Sequence, residues 1–175
     1  MLDVLKRHFG NQAASAPDGK PVAAVVRPLN VEEACGVIRL AREHGHEVLP
    51  VGGRTKLHWT GPPRGPAIEM DMRGLCRILE YSPEDMTITV EAGIGMAALH
   101  KLLAENRQRL ALDPPCTDRA TVGGVLAAND SGPIRFAFGT ARDIVIGMSM
   151  IGSDGEVFKS GGKVVKNVAG YDLHK

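Results

Sequence analysis

The chain has 175 residues, of which 43% are hydrophobic and 23% charged, an ordinary globular balance with length for one good-sized core or two small subdomains sharing one. A formal net charge of +1 gives no electrostatic reason to expect DNA, RNA or an anionic membrane as partner. Aromatics at 4% beside 21 glycines argue against a base-stacking surface and for backbone that approaches something closely.

From the N-terminus, residues 1–9 are expected to form a short amphipathic helix with Leu2, Leu5 and Phe9 on one side, followed by a loop over 11–21. This opening has no uninterrupted apolar core of signal-peptide length, and no run in the chain approaches the roughly 20 apolar residues of a membrane span. Residues 22–28 read as a buried strand stopped by Pro28. A helix follows over 30–45, with Asn30 as N-cap, Glu33 at the capping-box position and Gly45 as terminator. Residues 46–53 return as a strand that empties into glycines, and this strand–helix–strand order implies a parallel crossover. Short strands are expected over 67–72, 76–81 and 86–93, the last two joined by the turn 82–85. A helix is expected over 95–106, a strand over 109–115, and helical character after the glycines of 121–130. Strands over 142–152 and 156–161 flank Ser153-Asp154-Gly155, a hairpin signal. Parallel first and antiparallel later, the fold class is α+β.

The three cysteines, Cys35, Cys76 and Cys116, never form a CxxC pair. That speaks against a disulfide framework or a structural zinc site and for a reducing, cytoplasmic compartment. His44 and His46 flank a helix terminator without a third ligand at a suitable spacing, so no metal is expected. Ser131 lies beside a glycine, but GxSxG is absent.

The first chemical signal is "PVGGRTK", residues 50–56, directly after a strand. Gly52 and Gly53 can adopt positive φ and carry no Cβ, so successive N–H groups can converge on an anion, with Arg54, Thr55 and Lys56 adding charge and a hydroxyl. The phosphate-loop and GxGxxG patterns are both absent. Alone, two glycines after a strand are a turn. The second signal is "PPCTDRATVGGVLAANDSGP", residues 114–133, where Gly123-Gly124 stands at a helix start, a favourable place for a phosphate, and "AANDSG" continues small and polar. Two bulk-free, anion-friendly loops suit a pyrophosphate.

Together with "ATVGGVLAANDSGPIRFAFGTARDIVIGMSMIGSDGEV" and "SGGKVVKNVAGYDL", these stretches resemble the flavin domain of the vanillyl-alcohol-oxidase-like (PCMH-type) flavoenzymes, in the branch of glycolate oxidase and D-lactate dehydrogenase. The likeness covers roughly residues 20–175. It implies FAD held between a small parallel α/β subdomain (about 20–75) and a larger antiparallel one (about 76–175, incomplete). Carried over by position, Pro50, Val51, Gly52, Gly53, Arg54, Thr55 and Lys56 would cradle the pyrophosphate. Pro115, Cys116, Thr117, Asp118, Arg119, Ala120 and Thr121, with Gly123 and Gly124, would line the other side. Ala127, Ala128, Asn129, Asp130 and Ser131 would follow the ribityl chain or pyrophosphate, and Lys166, Asn167, Tyr171 and Asp172 would lead towards the isoalloxazine edge. Lys159, Lys163 and Lys166 read equally well as a solvated face.

Where some members attach flavin through histidine, this chain has Lys56; His58 is two residues late, and Cys116 does not match a second attachment position. The FAD is therefore expected to be noncovalent. The resemblance further implies a small 2-hydroxy acid as substrate and other oxidase subunits, an iron–sulfur subunit among them, as partners. The family's later glycine-rich segment and substrate cap domain are not in this sequence, so no catalytic base is named and the chain alone is expected to be inactive. Two other readings stand beside this one: a flavin-binding or assembly module without turnover, and an α+β interaction domain whose glycines serve packing alone.

Overall fold

In the computed structural model the described residues are 1–16, 22–59 and 61–162. The first half is a four-stranded sheet in the order β1-β2-β4-β3, from β1 (Ala13–Ser15), β2 (Ala24–Val26), β3 (Glu47–Val51) and β4 (Ala67–Asp71). β1 runs antiparallel to β2, while β4 lies parallel to both β2 and β3. The parallel crossover is therefore present, with β4 inserted between the two strands that helix α2 connects.

Local chemistry explains α2 (Val31–Glu43) well. The Glu33 N–H donates to Asn30 Oδ1 at 2.8 Å, and the Glu33 carboxylate accepts the Leu29 N–H at 2.7 Å. Two otherwise orphaned backbone donors are thereby satisfied. Ala34, Val37 and Ala41 then recur on one face and pack with Leu5 of α1 (Leu2–Phe9) against Ala24, Val26, Ile68 and Met70 of the sheet. β4 is buried along its whole length. Its period of two places Ile68 and Met70 on the α2 side and leaves Glu69 and Asp71 on the opposite face.

Among the described residues, the second half contains two hairpins and four helices. β5 (Ile78–Ser82) pairs with β6 (Thr87–Val90), and β7 (Gly147–Ile151) with β8 (Val157–Gly161), both antiparallel. Helices α3 (Met96–Glu105), α4 (Val122–Ala127), α5 (Arg135–Phe138) and α6 (Ala141–Ile144) lie between them. Met96, Leu112, Ala120, Val125 and Ala141 form a second small core. The turn of the β7–β8 hairpin docks on α2, where Arg39 Nη1 donates to the Gly155 carbonyl at 3.0 Å. Gly155, at φ +80, has no space for a side chain because Cys35 and Arg39 press on it.

Three expectations are corrected. Residues 109–115 form no strand: Leu112 turns into the second core, and Pro114 and Pro115 have no N–H to give a ladder. Within 142–152 the front is helix α6, because the Thr140 N–H and hydroxyl both donate to Asp143 and close a helical turn before β7 begins. The supposed loop over 11–21 contains β1, held by pairing with β2. Lys163, Lys166, Asn167, Tyr171 and Asp172, and the helix start expected beside them, lie outside the described residues.

Candidate functional site

Strands β2, β3 and β4 all deliver their carboxyl ends to the same edge of the sheet, the edge at which open α/β sheets bind ligands. β3 ends at buried Val51, and the chain enters the first glycine loop. Gly52 and Gly53 are glycines for a reason other than the expected one. Neither has positive φ; the left-handed residue is Arg54, at φ +59. A Cβ on Gly52 would collide with the Thr121 hydroxyl, and one on Gly53 with the Arg119 carbonyl. The glycines let the two loops touch.

The second loop is braced from behind. Arg119 N–H and Ala120 N–H both donate to the Cys116 carbonyl, at 2.9 and 2.8 Å, around a left-handed Cys116 at φ +57. Thr117 Oγ1 donates to the Pro114 carbonyl at 2.8 Å. Met96 N–H donates to the Ala120 carbonyl at 2.9 Å, and Val122 N–H to the Ile94 carbonyl at 3.0 Å, across a one-residue bridge between Gly95 and Thr121.

These contacts also use up the start of α4. Gly123 N–H donates to the Ala92 carbonyl at 2.7 Å, and Gly124 N–H to Thr121 Oγ1 at 3.3 Å. Both amides therefore already have internal acceptors. The first loop differs. Among the described residues, the N–H groups of Gly53, Arg54, Thr55 and Lys56 donate to no protein acceptor, and all four residues are half-buried. Four consecutive donors are thus left open on a partly covered loop, free to take up an acceptor from outside the protein.

The charged side chains of that loop point elsewhere. Arg54 folds back beneath the sheet and its guanidinium hydrogen-bonds to Glu69 of β4, which is 2% exposed. Lys56 Nζ pairs with Asp130 Oδ2 at 2.8 Å, across to the segment that follows α4, and lies 4.9 Å from the centre of the Trp59 ring. His58 meets the same ring edge-on from an exposed position. The loop's two cations are thus neutralised by two carboxylates, and the open groups that remain are its amides.

From the end of α4 onward come Ala127, Ala128, Asn129 (φ +45), Asp130 and Ser131, all without large side chains, and Asp130 ties this segment to the first loop through Lys56. Ser131 Oγ and Asp113 Oδ1 are buried atoms with no hydrogen-bond partner, while Asp113 Oδ2 accepts the Ile134 N–H at 3.3 Å. Open amides on the first loop, and an orphaned hydroxyl next in sequence to Asp130, the partner of Lys56, are donors and acceptors of the kinds that a ligand with phosphates and hydroxyl groups, such as FAD, would use.

The sequence reading missed a carboxylate cluster at the same sheet edge. Asp71 Oδ2 accepts from Arg27 Nη2 at 2.7 Å and from Arg73 Nη2 at 2.8 Å, and Oδ1 accepts from Arg73 Nε at 2.9 Å. Burial alone would raise the Asp71 pKa, but hydrogen bonds from Arg73 and then Arg27 outweigh it and hold the group well below the usual carboxylate range. Glu91 is likewise depressed, chiefly by the hydrogen bonds from Arg77, with burial opposing. The signal for the first cluster was the alternation Glu69-Met70-Asp71 in a strand, which puts both acids on one face.

Among the described residues, no group of three His, Cys, Asp or Glu side chains is placed to hold a metal ion, and no helix is long and apolar enough to cross a membrane.

Comparison with known proteins agrees with this geometry. The chain is 33% identical over 165 residues to the mitochondrial D-lactate dehydrogenase [cytochrome] of Arabidopsis thaliana, covering 93% of this chain and 28% of that protein. It is 30% identical over 162 residues to glycolate oxidase subunit GlcD of Bacillus subtilis, covering 93% and 33%. It is 36% identical over 107 residues to glycolate oxidase subunit GlcE of Escherichia coli, covering 61% and 31%. The chain therefore spans about a third or less of the length of these relatives. Among solved structures, BBE-like 1 of Physcomitrella patens matches with a TM-score of 0.78 at 17% identity, covering 93% of this chain and 38% of that one. That likeness bears on the fold alone. Residues 22–161 match the family described as FAD binding domain, and this chain belongs to that family.

Proposed function

We propose that the whole protein is a flavin-dependent 2-hydroxy-acid oxidoreductase of the glycolate oxidase and D-lactate dehydrogenase type, and that this chain is the part that holds FAD without a covalent link. The observation that carries the binding site is the set of open amides from Gly53 to Lys56, packed against the braced loop 115–121. In this reading those amides hold the pyrophosphate. Val51 anchors the loop in the core, and Arg119 to Thr121 fix its position through the close approach of Gly52 and Gly53. Ser131 Oγ is the hydroxyl offered to the ribityl chain. Lys56, unlike histidine, forms no bond to the flavin ring, which supports noncovalent attachment.

When bound, FAD supplies the two-electron acceptor for oxidation of a 2-hydroxy acid to the 2-oxo acid; the protein's part is to bind, orient and tune it. The names of the D-lactate dehydrogenase and glycolate oxidase relatives support this substrate class. Likeness to both GlcD and GlcE supports assembly with further oxidase subunits, and we include an iron–sulfur subunit among them. We also propose a division into subdomains near residue 75, where the four-stranded sheet ends and the hairpins begin. Free thiols at Cys35, Cys76 and Cys116 support a reducing, cytoplasmic setting.

The test is anaerobic mixing of the whole FAD-loaded protein with glycolate, D-lactate and D-2-hydroxyglutarate. Bleaching of the flavin by at least one of them is expected. A flavin that stays oxidised with all three would overturn the activity and leave a binding module.

A further inference from the structure

Resting on the FAD reading, we infer that Lys56 is a displaceable counter-ion: Asp130 holds its ammonium while the site is free, and a diphosphate takes it over on binding. The two cations of the glycine loop are held in different ways. Arg54 is tied to Glu69, whose carboxylate is buried to 2% exposure in the middle of β4. Pulling Arg54 away would take a guanidinium from a deeply buried carboxylate, which is costly. The Asp130 side chain keeps 10% of its exposure against 2% for Glu69, and its pair with Lys56 joins two separate loops, so the carboxylate left behind rehydrates more readily when the pair is parted. A compact ammonium on a four-carbon stem also changes partner more easily than a planar guanidinium gripped by its fork.

Placement adds the second half of the argument. The Lys56 N–H is itself one of the open amides, so an anion seated on Gly53–Lys56 lies beside the residue whose ammonium is tied across the gap. Such an anion competes with Asp130 for the same cation. The competition lowers affinity, because part of the binding free energy goes into parting the pair. Asp130 thereby sets how tightly a diphosphate is held. Trp59, the one tryptophan in the chain, carries the Lys56 ammonium 4.9 Å from its ring centre and reports the exchange directly.

The experiment is titration of the 175-residue chain and three variants, Asp130→Asn, Lys56→Met and the double variant, with ADP, inorganic pyrophosphate and FAD. Heat and Trp59 fluorescence are the readouts, adenosine is the uncharged control, and circular dichroism checks the fold. Asp130→Asn is expected to tighten ADP and pyrophosphate about tenfold, the worth of one charge-assisted hydrogen bond no longer contested. Adenosine binding should not change. Lys56→Met should weaken the two anions about tenfold, and the double variant should match Lys56→Met. A gain that persists in the Lys56→Met background would come from removing negative charge alone and overturns the exchange. Equal or weaker binding by a folded Asp130→Asn overturns it too, because the pair would then only brace the loops. If the wild-type chain binds neither ADP nor FAD, the FAD reading itself falls, and this inference with it.

Discussion

One methyl group at Gly53 tests whether the two glycine loops meet as described. In Gly53→Ala the new Cβ would sit 2.7 Å from the Arg119 carbonyl carbon and 3.2 Å from Ala120 Cα, and closer still to the Arg119 oxygen. Carbon atoms pack comfortably at about 3.5–4.0 Å, so the loops must part by roughly 1 Å. Gly53 has no positive φ, so crowding is the whole effect and backbone strain adds nothing. Overpacking of this kind costs about 2 kcal/mol, which lowers Tm by about 4–8 °C in a chain of this size. Misaligning two amides against a diphosphate removes about 3 kcal/mol more from binding, roughly 100-fold in affinity. Differential scanning calorimetry and FAD titration measure the two effects separately. Gly61→Ala is the control, because Gly61 has neither a neighbour within 4 Å of a new Cβ nor a positive φ. Wild-type Tm and FAD affinity in Gly53→Ala would refute the loop–loop contact.

The remaining expectations concern charge and attachment. Asp71→Asn leaves Arg27 and Arg73 facing each other without the carboxylate between them; because both are about half exposed (52% and 47%), the cost should be about 2 kcal/mol rather than that of a fully buried pair, read by urea unfolding. Asp71 and Glu91 are depressed in the folded state, so their stabilisation is complete above the ordinary carboxylate pKa of about 4 and is lost as pH falls from there through the folded values. Asp71→Asn should therefore show a flatter loss of stability below about pH 4, and an unchanged acid limb would contradict the Asp71 assignment. Acid precipitation of the FAD-loaded chain should leave all flavin in the supernatant; flavin in the pellet would show a covalent link.

Local signals made α2 readable, because its Asn30 cap, its Glu33 partner and its apolar spacing all lie within one stretch of chain. β1 was not readable, since Ala13–Ser15 has no strand pattern of its own and exists through pairing with β2. Residues 109–115 misled for the opposite reason. Their alternating leucines look like a strand, yet Leu112 finds its burial against α3 and α4, with no ladder. Thr140-Ala-Arg-Asp143 carried a capping-box signal that the following apolar, β-branched run obscured. At the site, the positions of both glycine loops were legible, but the reason for the glycines was not. Whether a glycine frees φ or makes room for a neighbouring chain depends on a partner some 65 residues away, here Arg119 to Thr121. The same non-locality hid the pairing of Arg54 with Glu69 and of Lys56 with Asp130, which turned an apparently cationic loop into a neutral one with open amides.

The central claim is that this chain holds FAD through those amides, and the most direct measurement is titration of the purified 175-residue chain with FAD, followed through flavin absorbance and Trp59 fluorescence. Saturable one-to-one binding, competed by ADP and inorganic pyrophosphate but not by adenosine at the same concentration, is the predicted result. No binding of FAD by the folded chain, or binding that pyrophosphate leaves untouched, would contradict it.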